Sequence, residues 1–116
     1  MESKEQDERY RMAVKMADIF KAFGDINRLL IINILASNTV DKISVSDLAN
    51  LLGMTQPAAS QHLKVLKNIG ILKPHKEGYH VYYIIDIDTF LKYKKDIDLI
   101  FQYAFEKYDD KCDSKI

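Results

Sequence analysis

Between residues 55 and 68 the chain runs Thr-Gln-Pro-Ala-Ala-Ser-Gln-His-Leu-Lys-Val-Leu-Lys-Asn. At helical spacing this puts two carboxamides (Gln56, Gln61), a hydroxyl (Ser60) and two ammonium groups (Lys64, Lys67) on one side. Amides match the paired donors and acceptors of base edges, a hydroxyl serves base or phosphate, and lysines act as point charges toward phosphate. An ordinary solvated helix face is the plain alternative. The following segment favours a polyanion, because Lys73, His75, Lys76 and His80 surround a Glu77-Gly78 tip, where they could track a backbone or enter a minor groove. Residues 55–85 hold four Lys against one Glu, in a chain whose 17 basic and 17 acidic residues cancel overall.

Other chemistries find less support. There is no nucleophile and base at a known spacing, no glycine-rich phosphate loop and no His-Glu metal helix, so catalysis is not expected. His62 fits a helix–helix contact. Asp86, Asp88, Asp96 and Asp98 look like paired metal carboxylates, but acids in first turns and on solvated faces are commonplace. No metal site and no cofactor is expected. The single cysteine, Cys112, cannot form an internal disulfide and suits a reducing compartment. Residues 1–11 are charged rather than signal-like, and the longest apolar run, residues 29–32, is far too short to span a bilayer. The expectation is a cytoplasmic protein with no membrane partner.

These side chains need a scaffold. At 116 residues, 47% hydrophobic and 29% charged, the chain fits one globular domain, residues 1–116, with loose tails at 1–9 and 109–116. Tyr10, Val14, Ala17, Phe20 and Phe23 recur at helical spacing before Gly24, and Asp25 is placed to cap a second helix with Ile26, Leu29, Leu30, Ile34 and Leu35 on one face. Ser44 caps a short third helix that stops at Gly53. Thr55 caps a fourth, with Pro57 tolerated in its first turn and Ala59, Leu63, Leu66 and Ile69 as its buried stripe, running to Gly70. Residues 71–76 and 79–85 then read as two strands about Glu77-Gly78, and a last helix runs from about 88 to 108. Two short helices about a tight turn, followed by a ribbon, describe a mainly α fold with a small β-hairpin wing: a winged helix-turn-helix.

Apolar residues cover two sides of the last helix, which is more than a monomer's core needs. Phe90, Ile97, Ile100, Phe101 and Ala104, with Val14 and Phe20 of the first helix, are therefore assigned to a homodimer interface. Two-fold symmetry would set two reading helices about one DNA turn apart on a palindrome.

Four stretches carry a resemblance: Phe20-Lys21-Ala22-Phe23-Gly24-Asp25-Ile26-Asn27-Arg28-Leu29, Ser46-Asp47-Leu48-Ala49, Thr55-Gln56-Pro57-Ala58-Ala59-Ser60-Gln61-His62-Leu63-Lys64-Val65-Leu66 and Gly78-Tyr79-His80-Val81-Tyr82-Tyr83. In order and spacing, over roughly residues 13–105, the chain resembles the ArsR/SmtB family of winged-helix repressors. The resemblance implies dimerisation through the first and last helices, operator binding to double-stranded DNA through the fourth helix and wing, and release by an effector. By position it assigns DNA reading to Gln56, Pro57, Ser60 and Gln61, and the wing tip to Lys76 and Gly78. Pro57 stands where the family often has Ser, which removes a hydroxyl donor. The Cys-Val-Cys places of the arsenic and cadmium sensors hold Ser44 and Ser46. The four ligand places of the zinc and nickel sensors hold Asp86, Asp88, Leu99 and Gln102, a poor transition-metal set.

The sequence therefore predicts a sequence-specific, homodimeric DNA-binding regulator without the family's usual metal sites, its effector unknown. The DNA-binding set is Thr55, Gln56, Pro57, Ser60, Gln61, Lys64, Lys67, Lys73, Lys76, Gly78 and His80. Two alternatives remain open. One is a sensor built on Cys112, by redox pairing across subunits or as a metal site with Asp109, Asp110 and Asp113. The other is a protein-interaction scaffold, which would more often present large apolar anchors on the fourth helix.

Overall fold

A computed structural model of the chain describes residues 4–37 and 42–112. Its elements are α1 (Lys4–Phe23), α2 (Ile26–Ser37), α3 (Val45–Leu52), α4 (Gln56–Asn68), β1 (Leu72–Glu77), β2 (His80–Ile85) and α5 (Ile87–Cys112). Short polar side chains set where four of the helices begin. Asp25 Oδ1 accepts from the backbone N–H of Asn27 at 2.9 Å and of Arg28 at 3.2 Å, and Ser44 Oγ accepts from Asp47 N–H at 3.1 Å. Thr55 Oγ1 and Asp86 Oδ1 accept at 3.3 Å from Ala58 and Thr89. Each cap satisfies an N–H that the helix itself leaves unpaired.

α3 stops at Gly53, which adopts φ 65°, and Met54 N–H returns to Ala49 O at 2.9 Å. That left-handed residue turns the chain into α4 within three positions. The core lies where α2, α3, α4 and the base of the hairpin meet, and consists of Ile31, Leu48, Leu63, Leu66, Ile71 and Leu72, all at most 2% exposed. Truncating a fully buried leucine such as Leu63 belongs to the class of changes that cost about 2–5 kcal/mol.

Several elements differ from their sequence expectation. α4 ends at Asn68 rather than Gly70, because Gly70 N–H bonds to Lys67 O at 2.9 Å and Ile71 N–H to Leu66 O at 3.1 Å, which turns the chain toward β1. The hairpin closes on the pair Glu77↔His80, so its two connecting residues are Gly78 and Tyr79, one step later than expected. Gly78 has φ 59° and Tyr79 does not have positive φ, as a type II′ hairpin turn requires. Residues 4–9 and 109–112 continue α1 and α5 where tails were expected; the run Lys-Glu-Gln-Asp-Glu-Arg has helix propensity but no apolar period to announce it.

The apolar faces differ more. In α1 the buried residues are Met16, Ile19 and Ala22, while Tyr10, Val14 and Phe20 of the expected stripe lie outside. In α2 the buried residue is Ile31, with Ile34 and Leu35 half-buried, and Ile26, Leu29 and Leu30 are exposed. Both helices are apolar on more than one side, so periodicity does not say which side meets the core.

The turn at Gly53 yields a stability test. An added Cβ at Gly53 meets no atom within 4 Å, so the cost of Gly53→Ala is purely that of the left-handed backbone. We expect a loss of about 1–2 kcal/mol in urea unfolding, less for Gly53→Asn, which tolerates that conformation better. An unchanged urea midpoint for the alanine variant would contradict the assignment.

Candidate nucleic-acid interface

Ala59, Leu63 and Leu66 are buried on α4, which fixes the opposite side as the outer one. Gln56, Pro57, Ser60, Gln61, Lys64 and Lys67 are all exposed there, and Thr55, besides capping the helix, is exposed at its start. No carboxylate occurs within α4. The base of the hairpin packs against α4, since Ile71 and Leu72 share the core with Leu63 and Leu66. Lys73, His75, Lys76, Gly78 and His80 are exposed along it. The structure thus brings the whole predicted set onto two neighbouring elements.

The hairpin carries one acid, Glu77, and it is neutralised. Its carboxylate accepts a hydrogen bond from Lys42 Nζ, and His75 Nε2 lies 3.6 Å from Oε1. The Lys42 bond, opposed by desolvation and helped by the charges of Lys42 and His75, holds the Glu77 carboxyl below the usual range. Lys42 also sits 5.8 Å above the Tyr82 ring, and Ser44 pairs with Tyr82 as an isolated antiparallel bridge. The segment before α3 therefore braces the wing. Sequence reasoning missed Lys42, because it lies 35 residues from Glu77 with no local pattern to connect them.

A second brace holds α4 from behind. Arg28 Nε donates to Ala22 O at 2.5 Å and Nη2 to Lys21 O at 3.3 Å, so the guanidinium caps carbonyls of the last turn of α1. Its Nη1 lies 3.3 Å from His62 Nδ1 on α4, and Asp25 Oδ1 lies 4.0 Å from the same nitrogen. His62 is thus the helix–helix contact expected of it. Desolvation raises the Asp25 carboxyl, but the N–H bonds from Arg28 and Asn27 and the charges of Arg28 and His62 outweigh it, leaving it below the usual range. At the other end of α4, Tyr93 Oη donates to Ile69 O.

The residues assigned to a subunit interface divide. Val14, Phe20, Ile100, Phe101 and Ala104 are exposed. Phe90 instead packs on the domain's own core, its ring 6.3 Å from that of Phe23, and Ile97 is half-buried. α5 turns that side toward α1: Lys15 Nζ sits 5.6 Å over the Tyr93 ring and 3.6 Å from Asp96 Oδ2, a buried oxygen that accepts no hydrogen bond.

Three of the residues considered as metal ligands are engaged elsewhere. Ser44 and Asp86 cap helices, and Asp98 Oδ2 accepts from Lys94 at 3.1 Å. Among the described residues no group of three or more His, Cys, Asp or Glu is arranged to hold a metal ion, and no helix is long and apolar enough to cross a membrane. The side chains of Asp109, Asp110 and Cys112, and all of Asp113, lie outside what is described.

The family model for bacterial regulatory proteins of the arsR family matches residues 25–73, from the cap of α2 to the first residues of β1. An HTH-type transcriptional regulator of Methanocaldococcus jannaschii is 47% identical over 73 residues, which make up 62% of this chain and 80% of that protein. The chain belongs to the arsR family. This regulator is also 41% identical over 71 residues to a cadmium resistance regulatory protein CadC homolog of Staphylococcus aureus, covering 61% of the chain and 57% of that relative. The homodimeric winged helix-turn-helix DNA-binding domain of a possible ArsR-family regulator from Mycobacterium bovis superposes with a TM-score of 0.63 at 26% identity, covering 91% of this chain and 90% of that one. The arsR regulator is accordingly a DNA-binding transcription regulator with a winged helix-turn-helix fold, not an enzyme.

The Asp25 cap makes a pH prediction. A carboxyl whose pKa is lowered in the folded state contributes stability above its ordinary pKa and loses that contribution as pH falls through the lowered value. Thermal melts of Asp25→Asn should therefore lie below wild type at neutral pH, with the gap closing below about pH 4. A gap that stays constant down to pH 2 would contradict it. Arg28→Ala should cost about 1.5–3 kcal/mol, the range for hydrogen bonds to charged groups.

Proposed function

We propose that this regulator represses transcription in the cytoplasm by binding a palindromic operator as a homodimer, with α4 in the major groove and the hairpin over the flanking backbone. The observation that carries this reading is the exposed, carboxylate-free face of α4 beside a wing whose one acid is bridged by Lys42. Gln56, Ser60 and Gln61 contact bases; Lys64, Lys67, Lys73 and Lys76 contact phosphates; Thr55, Pro57, Gly78 and His80 line the surface. Val14, Phe20, Ile100, Phe101 and Ala104 meet the second subunit. The homodimeric M. bovis domain of similar fold supports the assembly.

An effector site made of soft thiolates on α3 is not part of this proposal. Ser44 and Ser46 offer hydroxyl oxygens, and Ser44 Oγ is already engaged as the α3 cap. Stoichiometric cadmium or arsenite should therefore leave DNA affinity unchanged; release of DNA by either would defeat this part of the proposal.

Fluorescence anisotropy on the duplex upstream of the protein's own gene, against a scrambled duplex and over a salt series, tests the main claim. A specificity ratio on the order of 10³ and a steep salt dependence are expected. Gln61→Ala should cost about 1–3 kcal/mol at one base position and relax preference there, whereas Lys64→Ala should weaken all DNA alike and flatten the salt slope. Identical effects of both variants on cognate and scrambled DNA would overturn the assignment of base reading to Gln61.

A further inference from the structure

One aromatic residue of the hairpin has no structural role in the domain. Tyr83 packs against the core, and Tyr82 lies under Lys42 and 6.2 Å from the His80 ring. Tyr79, in contrast, is 103% exposed at the second connecting position of the turn, with no hydrogen bond or ring contact among the described residues. A large apolar ring held wholly in water contributes nothing to folding, and a turn accepts smaller polar residues at that place more readily.

The tip that carries it is a stiff prong. Two six-residue strands pair in unbroken register from Leu72↔Ile85 to Glu77↔His80, which places the tip about 20 Å from the buried base. The Lys42–Glu77 bond and the Ser44–Tyr82 bridge fix the strands to the segment before α3. Leu72 at the base shares the core with Leu63 and Leu66, so the direction of the prong is set relative to α4. Lys76 and His80 are exposed beside the ring, one on each strand.

On the reading of α4 given above, we propose that Tyr79 is a specificity residue: its ring enters the minor groove flanking the half-site, between phosphates held by Lys76 and His80, and its hydroxyl donates to a base edge. The chemistry favours A·T pairs. Their minor-groove edge presents only acceptors, adenine N3 and thymine O2, whereas a G·C pair adds an amino group that obstructs the ring and competes as a donor. A·T tracts also narrow the groove, which improves contact with a thin aromatic plate and concentrates the negative potential that Lys76 answers. Base preference at the flank then comes from Tyr79, separately from the amides of α4.

The test uses full-length protein and a duplex recovered from a random pool by wild-type selection, then rebuilt with all-A·T or all-G·C flanks about the same core. Wild type should prefer the A·T flanks by about tenfold, within the range for one or two base-pair changes. Tyr79→Ala should lose that preference and bind both duplexes at the weaker level, and Tyr79→Phe, keeping the ring without the donor, should lose part of it. Thermal melts of both variants should match wild type, since the side chain touches nothing in the fold. Tyr79→Ala binding both flanks as wild type does would overturn the proposal while leaving the α4 reading intact. Selection that enriches no sequence would overturn both.

Discussion

The burial of Ala59, Leu63 and Leu66 is the constraint on which the rest of this structure depends. A helix with one face locked among Ile31, Leu48, Ile71 and Leu72 has no rotational freedom left, so its other face is turned to solvent by elimination. Every polar group on that outer face takes its direction from the core behind it. Close packing makes the constraint sharp, because a rotation of one residue, about 100°, would bring Lys64 or Lys67 toward the core and expose a leucine.

Two polar braces add to what the core provides. Arg28 joins the end of α1, the start of α2 and His62 on α4, and it does so with a planar donor fork that reaches two carbonyls and a ring nitrogen at once. Lys42 does the corresponding work for the wing, bonding Glu77 and lying over Tyr82. An exposed ion pair contributes little to global stability. Here its consequence is local: it pairs the one negative charge of a surface proposed to face phosphate with a cation, and it limits the swing of the hairpin.

α1 and α5 contact one another through Lys15, Tyr93, Asp96 and the Phe23–Phe90 pair, yet each keeps apolar residues outside. Val14, Phe20, Ile100, Phe101 and Phe105 are exposed together with Ile26, Leu29 and Leu30 of α2. Apolar surface of this extent suits a second subunit and fits the homodimeric state of the M. bovis domain. The α2 residues were expected inside. Their position outside reflects a helix with too many apolar residues for one core face, and the competition among them is decided by which side α3 and α4 can reach.

How much was legible from residues alone follows from the range of each interaction. Caps, turns and the α4 stripe are local, depending on side chains within four positions, and so Asp25, Ser44, Thr55, Gly53 and the stripe residues Ala59, Leu63 and Leu66 stand where the sequence put them, while Ile69 falls just past the end of α4 and is half-buried. The polar face of α4 and the basic ribbon were legible for the same reason, since a helix with one apolar stripe fixes its outer side too. The hairpin turn moved by one residue because Glu77-Gly78 and Gly78-Tyr79 are both acceptable pairs, and strand register chose between them. What only the tertiary structure decided involves contacts between distant segments: the Lys42–Glu77 brace, the Arg28–His62 link, Phe90 turned to its own core, and the outward faces of α1 and α2. No periodicity carries such information, because these contacts depend on how elements pack, and a helix apolar on two sides can satisfy its own pattern in either orientation.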